Sequence, residues 1–192
     1  MAPLSFQAGA TLATREELAR NIHELDGLIE EILLASRLDG QSAVQSNLDS
    51  VDLVGLTAEE CAGVGADFSV PGGAGVTLTG DPRLLRRLIR NLLENARRYG
   101  NGTPIEVELR AGGGRLELDV LDRGPGVPAD ERERIFEPFH RLPGARELDG
   151  SVGLGLSLVR QIAGRHGGTA ACLPRTGGGS CFRVMLPMTK GS

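Results

Sequence analysis

The stretch from Asp81 to Tyr99 constrains this chain more than any other. Asp81 followed by Pro82 is a helix start. An aspartate side chain accepts bonds from the free N–H groups of a first turn, and proline suits the first helical position, where its missing N–H costs nothing. Leu84, Leu85, Leu88, Ile89, Leu92, Leu93 and Ala96 then fall on one broad face of a helix that reaches about Tyr99. Such a face needs an apolar layer to cover it. Two strands expected over 104–110 and 115–121, joined as a hairpin at the glycine turn 112–114, can supply one. A second helix is expected from Gly153 to His166, stopped by Gly167-Gly168. Strands near 169–173 and 181–186 close the chain, and short strands are expected near 51–56, 67–70 and 75–79. The fold class is therefore α+β: a two-layer α/β sandwich, with helices on one face of a mixed sheet.

A different pattern precedes it. Thr14 with Glu17 forms a capping box, and Leu18, Ile22, Leu25, Ile29 and Ile32 recur at alternating spacings of four and three. This heptad seam predicts one long bundle helix ending near Leu38, before Asp39-Gly40. It cannot bury its seam alone, so a homodimer through this helix is expected. Residues 41–50 are polar and read as a linker. The division is thus 1–45, a partial helical domain with its linker, and 46–192, a globular domain.

Composition excludes several partners. The 25 acids outnumber the 21 bases, so no general attraction to nucleic acid is expected, and none is assigned. No apolar run approaches the roughly 18 residues of a membrane span. Residues 1–13 lack the charged start of a signal peptide. Cys61, Cys172 and Cys181 form no disulfide framework or zinc motif. Cys172 and Cys181 read as reduced strand residues, with a facing pair across a hairpin as the alternative.

On the helix after Asp81, Asn91, Glu94, Asn95 and Arg98 are expected on one polar stripe opposite the leucines. Asparagine is a poor helix-interior residue, so two of them one turn apart call for a reason. One is metal and phosphate chemistry, since an amide oxygen can ligate Mg²⁺ and an arginine can grip phosphate. The other is a plain solvated face. At Asp122-Arg123-Gly124-Pro125-Gly126 a strand ends in an aspartate that could accept from an adenine amino group, or simply form a turn. Gly150-Ser151-Val152-Gly153-Leu154-Gly155-Leu156 leads into a helix, where glycines let backbone approach phosphates. Its spacing is neither a Walker loop nor a Rossmann fingerprint.

Together and in this order these stretches resemble the catalytic domain of sensor histidine kinases, of the superfamily that also holds gyrase and mismatch-repair ATPases. The resemblance runs from Asn91-Leu92-Leu93-Glu94-Asn95-Ala96-Arg97-Arg98-Tyr99 through the Asp122 box. It continues with Ile135-Phe136-Glu137-Pro138-Phe139-His140-Arg141, Gly153-Leu154-Gly155-Leu156, Gly178-Gly179-Ser180-Cys181-Phe182 and Leu186-Pro187, so it covers roughly residues 50 to 187. The heptad helix, ending in Leu33-Leu34-Ala35-Ser36-Arg37-Leu38, resembles the second helix of the family's dimerisation and phosphoacceptor domain.

The resemblance implies a Bergerat-type ATP-binding fold and, residue by residue, a set of roles. Asn95, with Asn91, would hold Mg²⁺. Arg98 would touch the phosphates, and Tyr99 would line the nucleotide site. Asp122 would read the adenine amino group, with Gly124 and Gly126 shaping the pocket. Phe136 and Phe139 would anchor a lid over 140–152, from which Arg141 and Arg146 would reach the phosphates. Gly153, Leu154, Gly155 and Leu156 would carry the lid's end past the nucleotide. The gyrase-like branch has a glutamate base where this chain has Asn91, which favours phosphoryl transfer to a protein over hydrolysis and leaves Glu94 as a base or orienting group.

The family's acceptor motif is missing. His23-Glu24 mimics its first two letters, but no Thr-Pro pair follows, and His23 reads as a surface residue that ATP would leave unlabelled. The resemblance therefore implies a domain that binds ATP and Mg²⁺ and phosphorylates a histidine on the dimerisation domain, which then serves a response regulator. It would be the cytoplasmic portion of a membrane-anchored sensor. The rivals are a protein-serine kinase of the same superfamily and a nucleotide-binding module without transfer activity.

Overall fold

The computed structural model describes Leu33 and residues 48–73, 77–142 and 153–188. The heptad helix (Leu33 apart, which is helical), His23, the linker to 47, Arg146 and most of the expected lid lie outside the described residues.

The elements run β1 (Asp49–Asp52), α1 (Leu53–Val64), β2 (Asp67–Ser69), β3 (Thr77–Gly80), α2 (Pro82–Tyr99), β4 (Glu106–Gly112), β5 (Arg115–Leu121), a 3₁₀ turn (Arg134–Phe136), α3 (Gly155–Arg165), β6 (Thr169–Pro174) and β7 (Ser180–Pro187). A five-stranded sheet has the order β2-β4-β5-β7-β6. Its β2–β4 pair is parallel and the other pairs are antiparallel. β1 and β3 form a separate antiparallel pair.

Alternation along the strands divides the sheet into two faces. Val107 and Leu109 pair with Val120 and Leu118, which pair in turn with Phe182 and Val184. This apolar face packs into one core with Leu85, Leu88, Ile89, Leu92, Leu93 and Ala96 of α2 and Leu158, Val159, Ile162 and Ala163 of α3. The opposite face is polar, yet Asp119 is only 2% exposed there. Arg183 grips its two oxygens at 2.8 and 2.7 Å, and Arg110 adds a bond of 3.0 Å. The sheet thus closes its open side with its own charges, and the two-layer sandwich stands as expected.

α2 begins as its sequence dictates: Asp81 Oδ1 accepts from the N–H groups of Arg83 at 2.9 Å and Leu84 at 3.3 Å. The end of α3 is tied to this start. His166 accepts from the Asp81 N–H at Nε2, 3.1 Å, while its Nδ1 lies 2.8 Å from the Ile162 carbonyl and donates to it. One side chain thereby fixes the two site-bearing helices against each other.

One expectation needs correction, and one alternative falls away. The strand expected over 51–56 covers only the end of β1, and helix α1 follows at Leu53. Asp52 caps this helix by accepting from the Gly55 N–H at 3.1 Å, and Gly65 ends it in the left-handed region at φ 69°. Cys172 and Cys181 do not face each other. Cys172 pairs with Phe182 and Leu173 with Cys181, and one step of register puts the two thiols on opposite faces. All three cysteines are buried and free. No described helix is long and apolar enough to cross a membrane.

Candidate functional site

Three segments meet at the end of the sheet: the loop after β5, the C-terminal half of α2, and the start of α3. Asp122 closes β5 and is 3% exposed. Its N–H donates to the Ser180 carbonyl at 3.0 Å. Its Oδ1 accepts from the Gly124 N–H at 2.7 Å and faces the Ser180 N–H at 3.4 Å. Among the described residues no donor reaches Oδ2. Backbone donors therefore fix which way the carboxylate lies and leave one oxygen to accept from outside.

Two glycines make this packing possible. A Cβ on Gly124 would sit 2.2 Å from the Tyr99 carbonyl oxygen, so only glycine lets the loop press on the end of α2. A Cβ on Gly179 would sit 2.1 Å from the Asp122 carbonyl oxygen, and Gly179 also has φ 98°. Gly126, at φ 77°, turns the loop away.

α2 contributes differently than expected. Glu94 and Arg98 are exposed and Asn95 and Tyr99 half-buried, as a polar stripe requires. Asn91 does not belong to that stripe. It is 4% exposed, and its Nδ2 donates to the Gly155 carbonyl at 3.0 Å, which ties α2 to the first residue of α3. Its position turns inward because α3, not solvent, covers that side of α2. Its Oδ1 is buried without a partner. A buried amide oxygen left unpaired costs about 1–3 kcal/mol, which makes this atom a candidate acceptor for a cation or a water.

The two ends of the segment around 143–152 meet at Phe139 and Gly153. The Phe139 N–H donates to the Gly153 carbonyl at 3.0 Å. Gly153 has φ 79°, and a Cβ there would lie 3.0 Å from the His140 carbonyl oxygen. Phe136 is buried under the Arg160 guanidinium, 4.5 Å from its ring centre, and Arg160 is held by Glu133 at 2.6 Å. Phe139 is no such anchor: it is 63% exposed, with backbone in the left-handed region at φ 64°. Its N–H, not its ring, joins the segment's ends. His140 Nε2 lies 2.6 Å from Glu131. Arg141 is half-buried beside it, Leu154 is buried, and Gly155 and Leu156 open α3.

The contacts fall in two groups along α2: Asp122 and Gly124 lie against Tyr99 at its end, and Asn91 is joined to Gly155 at the start of α3, with Asn95 and Arg98 between Asn91 and Tyr99 on the same helix. No local motif marks a role for Ser180, Gly179 or Arg175. The signal for them is the pairing of Leu121 with Cys181, which carries the start of β7 onto Asp122. Among the described residues no group of three or more His, Cys, Asp or Glu could hold a metal. Mg²⁺ does not need one. It takes one or two protein oxygens and completes its shell with water and phosphate, and the orphaned Asn91 oxygen, one turn from Asn95, fits that demand.

Known proteins resemble this chain in sequence and fold. The model of the histidine kinase-, DNA gyrase B-, and HSP90-like ATPase family matches residues 80–190. The sensor-like histidine kinase SenX3 of Mycolicibacterium smegmatis is 35% identical over 181 residues, 90% of this chain and 47% of that protein. The sensor protein CutS of Streptomyces coelicolor is 37% identical over 196 residues, 97% of this chain and 45% of that one. The chain spans about half the length of the curated relatives it matches. The ATP-binding domain of PrrB from Mycobacterium tuberculosis superposes with a TM-score of 0.62 at 28% identity, over 75% of this chain and 99% of that one. Full-length ShkA in complex with AMPPNP gives 0.80 at 26% identity, over 100% of this chain and 41% of that one. With its fold shared with these sensor kinases and the family model matched over more than half of its length, the chain belongs to the histidine kinase-, DNA gyrase B-, and HSP90-like ATPase family.

Proposed function

We propose that this chain is the ATP-binding catalytic domain of a sensor histidine kinase, passing the γ-phosphoryl group of Mg-ATP to a histidine on the dimerisation domain. The observation that carries the reading is the Asp122 carboxylate. Its Oδ1 is committed to backbone donors and its Oδ2 has no partner among the described residues, which suits an adenine amino group. Full-length ShkA, of like fold, is in complex with AMPPNP, an ATP analogue, which supports a nucleotide as the ligand of this domain.

The roles follow from position. Asn95 and the orphaned oxygen of Asn91 would hold Mg²⁺, which when bound neutralises phosphate charge. Exposed Arg98, with Arg141 and Arg146, would bind phosphate oxygens. Tyr99, Phe139 and residues 153–156 would border the nucleotide. Phosphoryl transfer rests on positioning and charge neutralisation more than on covalent chemistry, and these groups supply both. Asn91 is neutral and cannot take a proton from water, so transfer to a protein acceptor is favoured over hydrolysis. Glu94 is the exposed carboxylate beside this site and would orient the acceptor.

The partners of such a domain are the phosphoacceptor helices, a second copy joined through the bundle helix, and a response regulator, on the cytoplasmic side of a membrane-anchored sensor. Mixing the chain with a separate acceptor domain and γ-labelled ATP tests this. Acid-labile label on the acceptor histidine is expected. Acid-stable label would mark a serine kinase, and ATP binding with no label a regulatory module.

A further inference from the structure

The carboxylate is not the only part of Asp122 that is held. Its main-chain carbonyl accepts a bond of 3.2 Å from Arg175 Nη1. Arg175 follows Pro174 in the glycine-rich hairpin between β6 and β7, where a guanidinium would ordinarily extend into water. Here its side chain is 7% exposed. Its Nη2 donates to Glu106 Oε1 at 2.5 Å, and Glu106 opens β4. That bond is the main reason the Glu106 carboxyl is held below its ordinary range, against a smaller opposing effect of burial. Glu106 also pairs across the ladder with Leu121, the residue before Asp122. Arg175 thus reaches from the outer hairpin over the end of β5 to β4.

Its backbone is fixed as well. The Arg175 N–H donates to the Gly179 carbonyl at 3.3 Å, and Gly179 is the residue packed on the Asp122 carbonyl with no room for a Cβ. Side chain and main chain of one turn therefore close on the same peptide group. Arg123 lies 4.0 Å from Glu106, but it is half exposed and makes no bond to the Asp122 carbonyl among the described residues.

We infer that Arg175 is a positioning residue for purine selection: it fixes the peptide on which Asp122 stands, and so the direction in which Oδ2 faces the base. The inference rests on the reading that Asp122 accepts from the adenine amino group. A hydrogen bond weakens steeply as its angle departs from linear, so selectivity depends on how firmly the acceptor is aimed. The bonds with Gly124 and Ser180 hold Asp122 to its own loop and to the start of β7, on one side of β5. The Arg175–Glu106 bridge adds the tie to β4 on the other side. Without the guanidinium the carboxylate keeps its bonds toward β7 and loses this second tie, and with it part of its fixed aim.

The test is calorimetric titration of the full chain with Mg-ATP and with Mg-GTP, for the unmutated protein, Arg175→Met, Arg175→Lys and Glu106→Gln. Thermal unfolding without nucleotide confirms that each is folded. In Arg175→Met the ratio of ATP to GTP affinity should fall at least fivefold, through weaker ATP binding, with GTP changed less than twofold. Lysine can keep one of the two bonds, and Glu106→Gln keeps the arginine but loosens its anchor, so both should fall between. If Arg175→Met does not fold, these two carry the test, and each must lower the ratio at least twofold. An unchanged ratio, or equal losses for both nucleotides, overturns the inference while leaving the Asp122 reading intact. An unmutated chain without preference for ATP overturns the Asp122 reading itself, and the inference with it.

Discussion

Exchanging Asp122 for asparagine replaces one oxygen by an amide nitrogen, and the structure dictates which one. Oδ1 accepts from the Gly124 N–H at 2.7 Å and faces the Ser180 N–H at 3.4 Å. An asparagine has one acceptor oxygen and one NH₂ donor group. Two backbone donors require the oxygen at the first position, so the NH₂ must take the place of Oδ2. A donor then faces the amino group of adenine, and the guanine carbonyl oxygen finds a match. Loss of the bond and confrontation of two donors costs about 1–3 kcal/mol. At about 1.4 kcal/mol per factor of ten, ATP affinity should fall about 5- to 150-fold while GTP affinity rises. The swap is isosteric and keeps the Gly124 bond, so the unfolding free energy should drop by less than about 1.5 kcal/mol. Titration of the variant and of the unmutated chain with both nucleotides, alongside urea unfolding, measures each quantity. ATP affinity within twofold of the unmutated chain, with GTP unmoved, would refute the reasoning.

Other expectations follow from named contacts. Asn95→Ala should stay folded yet lose most of the gain in ATP affinity that Mg²⁺ brings; a normal response to EDTA and Mg²⁺ in titrations would remove Asn95 from the metal site. Gly124→Ala drives a methyl onto the Tyr99 carbonyl and should cost about 1–3 kcal/mol. Gly63→Ala in α1 meets nothing within 4 Å and should add up to about 1 kcal/mol. Urea midpoints that move the same way in both would contradict this. Burial alone would raise the Glu60 carboxyl, but bonds from Arg90 and Arg86 outweigh it and hold the group below its ordinary value. A carboxyl so depressed adds stability above its unfolded value of about 4.3 and loses it as pH falls through the folded value. Glu60→Gln should therefore cost about 1 kcal/mol at neutral pH, with both arginines partly solvated, and far less at about pH 3. Equal deficits at the two pH values would exclude the carboxylate as the cause.

What the sequence made legible is what local chemistry decides. The Asp81-Pro82 start, the apolar face of α2 and the hairpin at 112–114 each depend on residues within a few positions. α1 escaped because its buried face, Leu53, Leu56, Thr57, Glu60 and Cys61, has helical spacing but carries two polar residues. Thr57 is satisfied by the Leu53 carbonyl at 2.7 Å, and Glu60 by Arg86 and Arg90 of another helix at 2.5 and 2.6 Å. No window along the chain shows that a glutamate will be neutralised by arginines of the next helix. Asn91 was misplaced for the same reason, since its partner Gly155 lies beyond two strands and the lid. The Asp122 and Gly124 pair was legible in its motif. Ser180 and Arg175 depend on strand register, which alternation alone does not fix.

The register that separates Cys172 from Cys181 has a use in following the molecule's motions. Cys61 lies in the helix layer, Cys172 on the helix side of the sheet, and Cys181 on the charged side. Burial pushes their thiols up to about 11, 11 and 12. Alkylating reagents attack the thiolate, which such groups scarcely form near neutral pH while buried. Each cysteine is therefore a clock that runs only when its own surroundings part. Timed alkylation read by mass spectrometry would distinguish helices lifting from the sheet, which exposes Cys61 and Cys172, from loosening of the arginine-covered side, which exposes Cys181. Three equal rates would mean that this sandwich opens only as a whole.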